Sequence, residues 1–350
     1  MAVHHWTRIG LLSVAFFLAA GLPSLGQAPA QPAAGETLAP EKAVEEAIKK
    51  IDMGDLAEAR RLLQYAASLK PTMNILNLGQ GLFFVASNQG AEAISSLGAY
   101  NASEEGKRDY RGFAAVGKVY LQSRLLRQAV APLRQARGLA DAERDGKPLR
   151  AGITVDLASA YAKLRDSKKA IELLNEAQTA ARGDGEIQLR ISEIAKTADD
   201  AELANKAARR AIELFKAKIA DDAFNPDAHT LMQRAYKVLG DLLISSIKND
   251  PTGPNAGAYY HQYAGVLWEA AELDRRIGLL NAREMALRSI EQDPKNSQWQ
   301  LSAVRLEMEL GGLADAGARL NTILESDPSN KEALQLKQRL ESPAQRAAQP

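Results

Sequence analysis

Small residues recur along this chain at fixed offsets. Ala47 is followed by Ala59 at +12, Ala66 at +19 and Pro71 at +24. Ala270 opens the same series with Ala282, Ser289 and Pro294, and Val304 opens it again, 34 residues on, with Ala316, Ile323 and Pro328. Gly117 leads to Ala129 and Ala136, and Ala158 to Ala170 and Ala177, each with a tyrosine (Tyr120, Tyr161) three places after its first member. Within the first window, residues 40–71, one helical pattern runs to about Met53. Gly54-Asp55 makes a turn, and a second amphipathic pattern runs from Leu56 to Leu69. The spacing therefore predicts a helix–turn–helix unit made many times over. The small residues let paired helices approach, while Leu63, Tyr120, Leu133, Tyr161 and Leu174 fill the remaining space. One such unit cannot bury its own apolar faces, so stacking has to create the core.

These residues, with the turns Gly54-Asp55-Leu56, Gly240-Asp241-Leu242 and Gly311-Gly312-Leu313 and the endings SLKP, EQDP and ESDP, resemble the tetratricopeptide repeat (TPR). The resemblance covers about residues 40–341 and is weakest at 72–103, 185–215 and 226–251. It implies an all-α, right-handed superhelical solenoid of about eight TPR-like units with a partner-binding concave face. Pro71, Pro294 and Pro328 are expected where the next helix begins, a place that tolerates a missing N–H. The segment 140–150, ADAERDGKPLR, lengthens one connection, and a bend or division of the stack is expected near 215–257. A final helix at about 329–341 caps the last apolar face, and 342–350 reads as a disordered tail.

The N-terminus supplies an address. Residues 9–22 form an uncharged apolar run of 14, preceded by Arg8 and ended by Pro23. A comfortable membrane span needs about 20 residues. Residues 1–26 read as a secretory signal peptide cut between Gly26 and Gln27, and 27–40 as a flexible Ala/Pro-rich spacer. The chain is then exported, periplasmic or extracellular. An uncleaved N-terminal anchor is the alternative, and only that alternative brings contact with a membrane.

Composition removes most chemistry. There are no cysteines, and only His229 and His261 remain after the leader, 32 residues apart. That excludes thiol catalysis, Cys-based zinc sites and disulfides. No HExxH, G-x-S-x-G, Walker A or dinucleotide fingerprint is present. The expectation is no catalytic residue, no cofactor and no metal. A formal net charge of +1 gives no argument for nucleic acid. The acidic pairs Asp199-Asp200 and Asp221-Asp222 read as helix boundaries, and Asn101-Ala102-Ser103 matches a glycosylation sequon.

Three segments carry functional hypotheses beside plain structural ones. Residues 107–137 hold eight cations (Lys107, Arg108, Arg111, Lys118, Arg124, Arg127, Arg134, Arg137) against Asp109 alone. Arg111 and Lys118 share a helix face, which is either solvated or a site for an acidic peptide or C-terminal carboxylate. Tyr259, Tyr260 and Tyr263, with Trp268, read as inter-repeat core or as a peptide or glycan contact. The segment 74–85, NILNLGQGLFFV, is apolar around the whole helix and reads as buried within the stack or as a groove for a client segment. The combined expectation is an exported, non-enzymatic scaffold for a protein or peptide partner in the cell envelope. A glycan or small-ligand module and an accessory subunit of an envelope enzyme stand as alternatives.

Overall fold

The computed structural model describes residues 38–140, 146–223, 225–271 and 275–342, and among them every regular element is helical. The expected signal peptide and tail lie outside the described residues. The chain falls into two compact units that divide inside one helix, between Ser96 and Leu97. Residues 215–257 lie within the second unit, away from that boundary.

The first unit contains α1 (Pro40–Asp52), α2 (Leu56–Leu69), α3 (Asn74–Ala86) and the start of α4 (Gly90–Ala102). Ala43, Val44 and Ala47 of α1 meet Ala59, Leu63 and Ala66 of α2, all buried. The uniformly apolar α3 closes on both helices at Gly79. A Cβ there would come 2.7 Å from Leu63 Cδ2 and 2.9 Å from Val44 Cγ1. Leu76, Leu78 and Phe83 are buried, and Ile75 and Phe84 are partly buried against the same core, so this segment is packed inside the unit.

The second unit continues with α5 (Tyr110–Gln122) and α6 (Leu126–Leu139), α7 (Lys147–Lys163) and α8 (Ser167–Ala180), then α9 (Gly185–Thr197) and α10 (Ala201–Asp221). After these come α11 (Pro226–Asn249), α12 (Ala256–Ala270), α13 (Arg275–Gln292), α14 (Ser297–Glu309), α15 (Leu313–Ser326) and α16 (Lys331–Glu341). The repeat positions do what their size predicts. Ala129, Ala136, Ala158, Ala170, Ala177, Ala282, Ser289, Val304 and Ala316 are all fully buried, and Ile323 nearly so. At Gly117 an added Cβ would lie 2.4 Å from Leu133 Cγ, so glycine sets how closely α5 and α6 approach. These are stacked, TPR-like helix pairs. α16 covers the last face with Ala333 and Leu336 against α15.

One turn recurs between the helices of a pair. Gly54, Asn88, Arg124, Arg165, Asp199 and Gly311 all have φ between 59° and 80°. One residue later, an amide reaches back to the carbonyl five residues before it. Examples are Asp55 N to Lys50 O at 2.9 Å and Asp166 N to Tyr161 O at 3.0 Å. This is the left-handed helix ending that satisfies the last carbonyls. Asp55, Asp166 and Asp200 then cap the following helix by accepting from the backbone N–H of Glu58, Lys169 and Leu203. Asp221 ends α10. Pro71 and Pro294 sit in the turns themselves, ahead of the first residue of the next helix.

Two expectations fail in the second unit. Gly240-Asp241 is no turn: α11 runs unbroken for 24 residues through it. Gly240 lies under the Tyr263 ring, where a Cβ would be 3.3 Å from Cε2. Asp241 caps nothing and is held by Lys196 at 2.7 Å and Lys237 at 3.3 Å. With α11 undivided, the described chain has seven helix pairs, and α11 and α16 stand outside them. Second, Ala270 is only partly buried at the end of α12, and Ala264 takes the close-packed place against Ala282. Here α12 and α13 are longer than the repeat allows, 15 and 18 residues, so the +12 offset lands on the wrong turn of the helix.

Candidate functional site

In the second unit, α5, α7, α9 and α11 pack successively against one another as well as against their own second helices. The second helices α6, α8 and α10 make no comparable row among the described residues. Helices that touch along one side and part along the other make that touching side the continuous surface, and here it consists of first helices.

Ion pairs tie the row together. Arg190 on α9 meets Asp156 on α7, whose carboxylate is nearly buried. Arg234 on α11 holds Glu193 on α9 through both carboxylate oxygens, at 2.8 and 3.0 Å. Lys196 on α9 pairs with Asp241 on α11. Most of these partners are partly exposed, so each pair fixes register more than it stabilises.

At the start of the row, Arg111 binds Asp109 through Nε (2.9 Å) and Nη2 (2.6 Å), and Asp109 accepts from the Tyr100 hydroxyl at 2.7 Å. Burial opposes ionisation of Asp109, but hydrogen bonds from Arg111 and Tyr100 outweigh it and hold the carboxyl below its usual range. Burial and the neighbouring carboxylate push the Tyr100 hydroxyl up. Arg111 is therefore committed to the entry of α5. Lys118, two turns further on, is exposed and has no ion pair among the described residues.

The basic run 107–137 is partly neutralised from outside itself. Lys107 pairs with Glu104 at 2.6 Å and Arg137 with Glu176 of α8 at 2.5 Å, while Arg134 donates to the Tyr161 hydroxyl at 2.8 Å. Asn101 turns its side chain onto Gly112, with Oδ1 buried.

The tyrosine group is divided. Tyr259 and Tyr263 pack against the core of α10 and α11, and Tyr260 bonds to Arg288 of α13. His261 stacks on Trp299 with ring centroids 5.9 Å apart, and burial followed by the Arg305 charge keeps its pKa low. His229 Nε2 lies 3.1 Å from the Ala223 carbonyl oxygen.

Composition gave no hint of a cluster between α10, α11 and α12. Lys216 bridges to Glu269 at 2.9 Å, and the Tyr236 hydroxyl donates to the same oxygen at 3.1 Å beside a small cleft. The lysine and the carboxylate lie 53 residues apart, a separation that no local motif reports. Among the described residues no group of three or more His, Asp and Glu is placed to hold a metal, and no helix is long and apolar enough to cross a membrane.

No protein-family model and no curated protein matches the chain. Solved structures give distant likenesses. The chain is similar to Pseudomonas aeruginosa PilF at 13% identity, over 64% of this chain and 97% of that one, with a TM-score of 0.44. It is similar to MamA at 18% identity, over 52% and 94%, with a TM-score of 0.39. It is also similar to the C-terminal part of a TPR repeat-containing protein from Cytophaga hutchinsonii at 13%, over 84% and 98%, with a TM-score of 0.40. Likenesses at this level say nothing about what this chain binds. Its TPR-like architecture stands on its own spacing, turns and buried small residues.

Proposed function

We propose that this protein is an exported, non-catalytic scaffold that docks a protein or peptide partner on the first-helix row α5–α7–α9–α11. The observation that carries the reading is the row itself, a continuous helical surface pre-set by interhelix ion pairs and bordered by an exposed, unpaired lysine. A surface that does not reorganise on binding wastes little of the interaction on ordering. Cations outnumber acids along it, because Asp241 is shared by Lys196 and Lys237 and Lys118 has no partner. An acidic or carboxylate-bearing segment is the complementary occupant.

The N-terminal apolar run supports export, with the mature chain beginning at Gln27. Edman sequencing of the protein from its native host tests that step. A chain still beginning at Met1 or Ala2 would replace export with anchoring. For docking, exchanging Lys118 and Lys237 for Glu together should weaken partner capture about tenfold or more, while the helical circular-dichroism signal stays unchanged. Unaltered capture would remove the row as the docking surface. Arg111 is unsuited to this test because its loss would unmake the entry of α5.

A further inference from the structure

A second site lies away from the first-helix row, and its case does not depend on the row. Among the described residues α13 and α15 do not pack closely on each other, and the gap between them, floored by α14, is a cleft of about 360 Å³. At its base is Glu307 of α14, with a fully buried side chain. One carboxylate oxygen, Oε1, accepts from Arg319 Nη2 at 3.0 Å and from Arg283 Nη2 at 3.4 Å, and Oε2 accepts from Arg319 Nε at 3.3 Å. Two guanidinium groups on different second helices are thus drawn to one oxygen. They line the cleft together with Gln300, Asp315, Ala318 and Thr322.

The charge count identifies what the cleft takes. Glu307 neutralises one of the two arginines. The other balance comes from Asp315, 2.9 Å from Arg283 and 63% exposed at the side chain. An exposed pair of this kind contributes little and exchanges readily with a competing anion. Without Asp315 the cleft carries one net positive charge, held in place by a carboxylate that cannot leave. Asp315 also shows which chemistry Arg283 accepts there, a planar two-oxygen anion that matches a guanidinium fork. The space exceeds that of a carboxylate alone. Gln300 spends its amide N–H on the Pro294 carbonyl, which leaves Oε1 to accept from a ligand N–H. Ala318 offers a methyl wall.

We infer that the α13–α14–α15 cleft is a carboxylate-binding site, in which a ligand carboxylate displaces Asp315 from Arg283 and bridges Arg283 and Arg319. An N–H beside that carboxylate would reach Gln300. A free polypeptide C-terminus and a small free carboxylate share this chemistry.

Calorimetry on the full mature chain tests it, using N-acetyl-triglycine with a free C-terminus, the same peptide amidated, glutarate and inorganic phosphate. The free-acid peptide should bind and its amide should not. Asp315→Asn, which removes the internal competitor at an exposed position, should tighten binding by about threefold to tenfold. Arg283→Gln should weaken it about tenfold. Binding of glutarate without the peptide would assign the site to small carboxylates, and the reverse to chain termini. Equal binding of acid and amide, unchanged or weaker affinity in Asp315→Asn, or phosphate bound more tightly than either carboxylate would overturn the assignment. Arg283→Gln is judged only if its melting curve stays cooperative. Asp315→Asn leaves the buried pairs intact and decides the matter by itself.

Discussion

Residues 110–221 and residues 226–292 belong to the same compact unit and carry similar small residues, yet they fold by different rules. In the first stretch, each pair of helices is separated by three residues. The middle one, Arg124, Arg165 or Asp199, is left-handed, and a backbone amide closes the helix end behind it. In the second stretch, Gly240-Asp241-Leu242 has the same composition as the turns at Gly54 and Gly311, but the chain stays helical through it. The difference lies in what surrounds the glycine. Gly54 and Gly311 have open space at the missing Cβ and a φ that side chains avoid, whereas Gly240 has an aromatic ring upon it and buried Val238, Leu239 and Leu243 on either side. A glycine thus marks a turn when nothing packs on it and a close approach when something does.

The largest test of this contrast is Gly117→Val. Its side chain would enter the space of fully buried Leu133, at a cost of about 3 kcal/mol by overpacking. Gly265→Ala, in α12, has nothing within 4 Å and should gain up to about 1 kcal/mol. Equal effects in urea denaturation would break the assignment of close-packed positions.

The Asp109→Asn variant comes next. Asp109 ties Tyr100 to Arg111 at the entry of α5, so the variant should lose about 1–2 kcal/mol at neutral pH. The native carboxyl is held below its usual value, so its contribution is complete above about pH 5. It fades as pH falls through the depressed native pKa. The stability gap between wild type and variant should therefore close on acidification, and a pH-independent gap would show that the charge plays no part. The smallest comparison pairs Gly311→Ala with Gly240→Ala. The first should cost about 1 kcal/mol through its left-handed φ. The second should stay within about 0.5 kcal/mol, helix propensity offsetting a tight contact.

Legibility in sequence follows the same line. The helix pairs at 40–69, 110–139 and 147–180 were readable because a small residue, its +12 and +19 partners and a local turn all fall within one short window. The pairs at 72–103 and 185–221 form just as regularly, but their turns use Asn88 and Asp199 where a search for glycine looks past them. α11 was misread because deciding whether Gly240 turns or packs needs Tyr263, 23 residues later. Among functional residues, the sequence placed Arg111 and Lys118 on one helix face. It did not show that Asp109 takes Arg111 and leaves Lys118. The Glu307 cleft was invisible because Arg283, Glu307 and Arg319 are ordinary surface-type residues whose meeting is set by packing between three helices.

The claim that the first helices form the docking surface is tested most directly by a photo-crosslinking residue placed in turn at Lys118 on α5, Ser159 on α7 and Glu172 on the second helix α8, in the native host. The account predicts discrete partner adducts from positions 118 and 159 and none from 172. Adducts from 172 with none from 118 or 159 would contradict it.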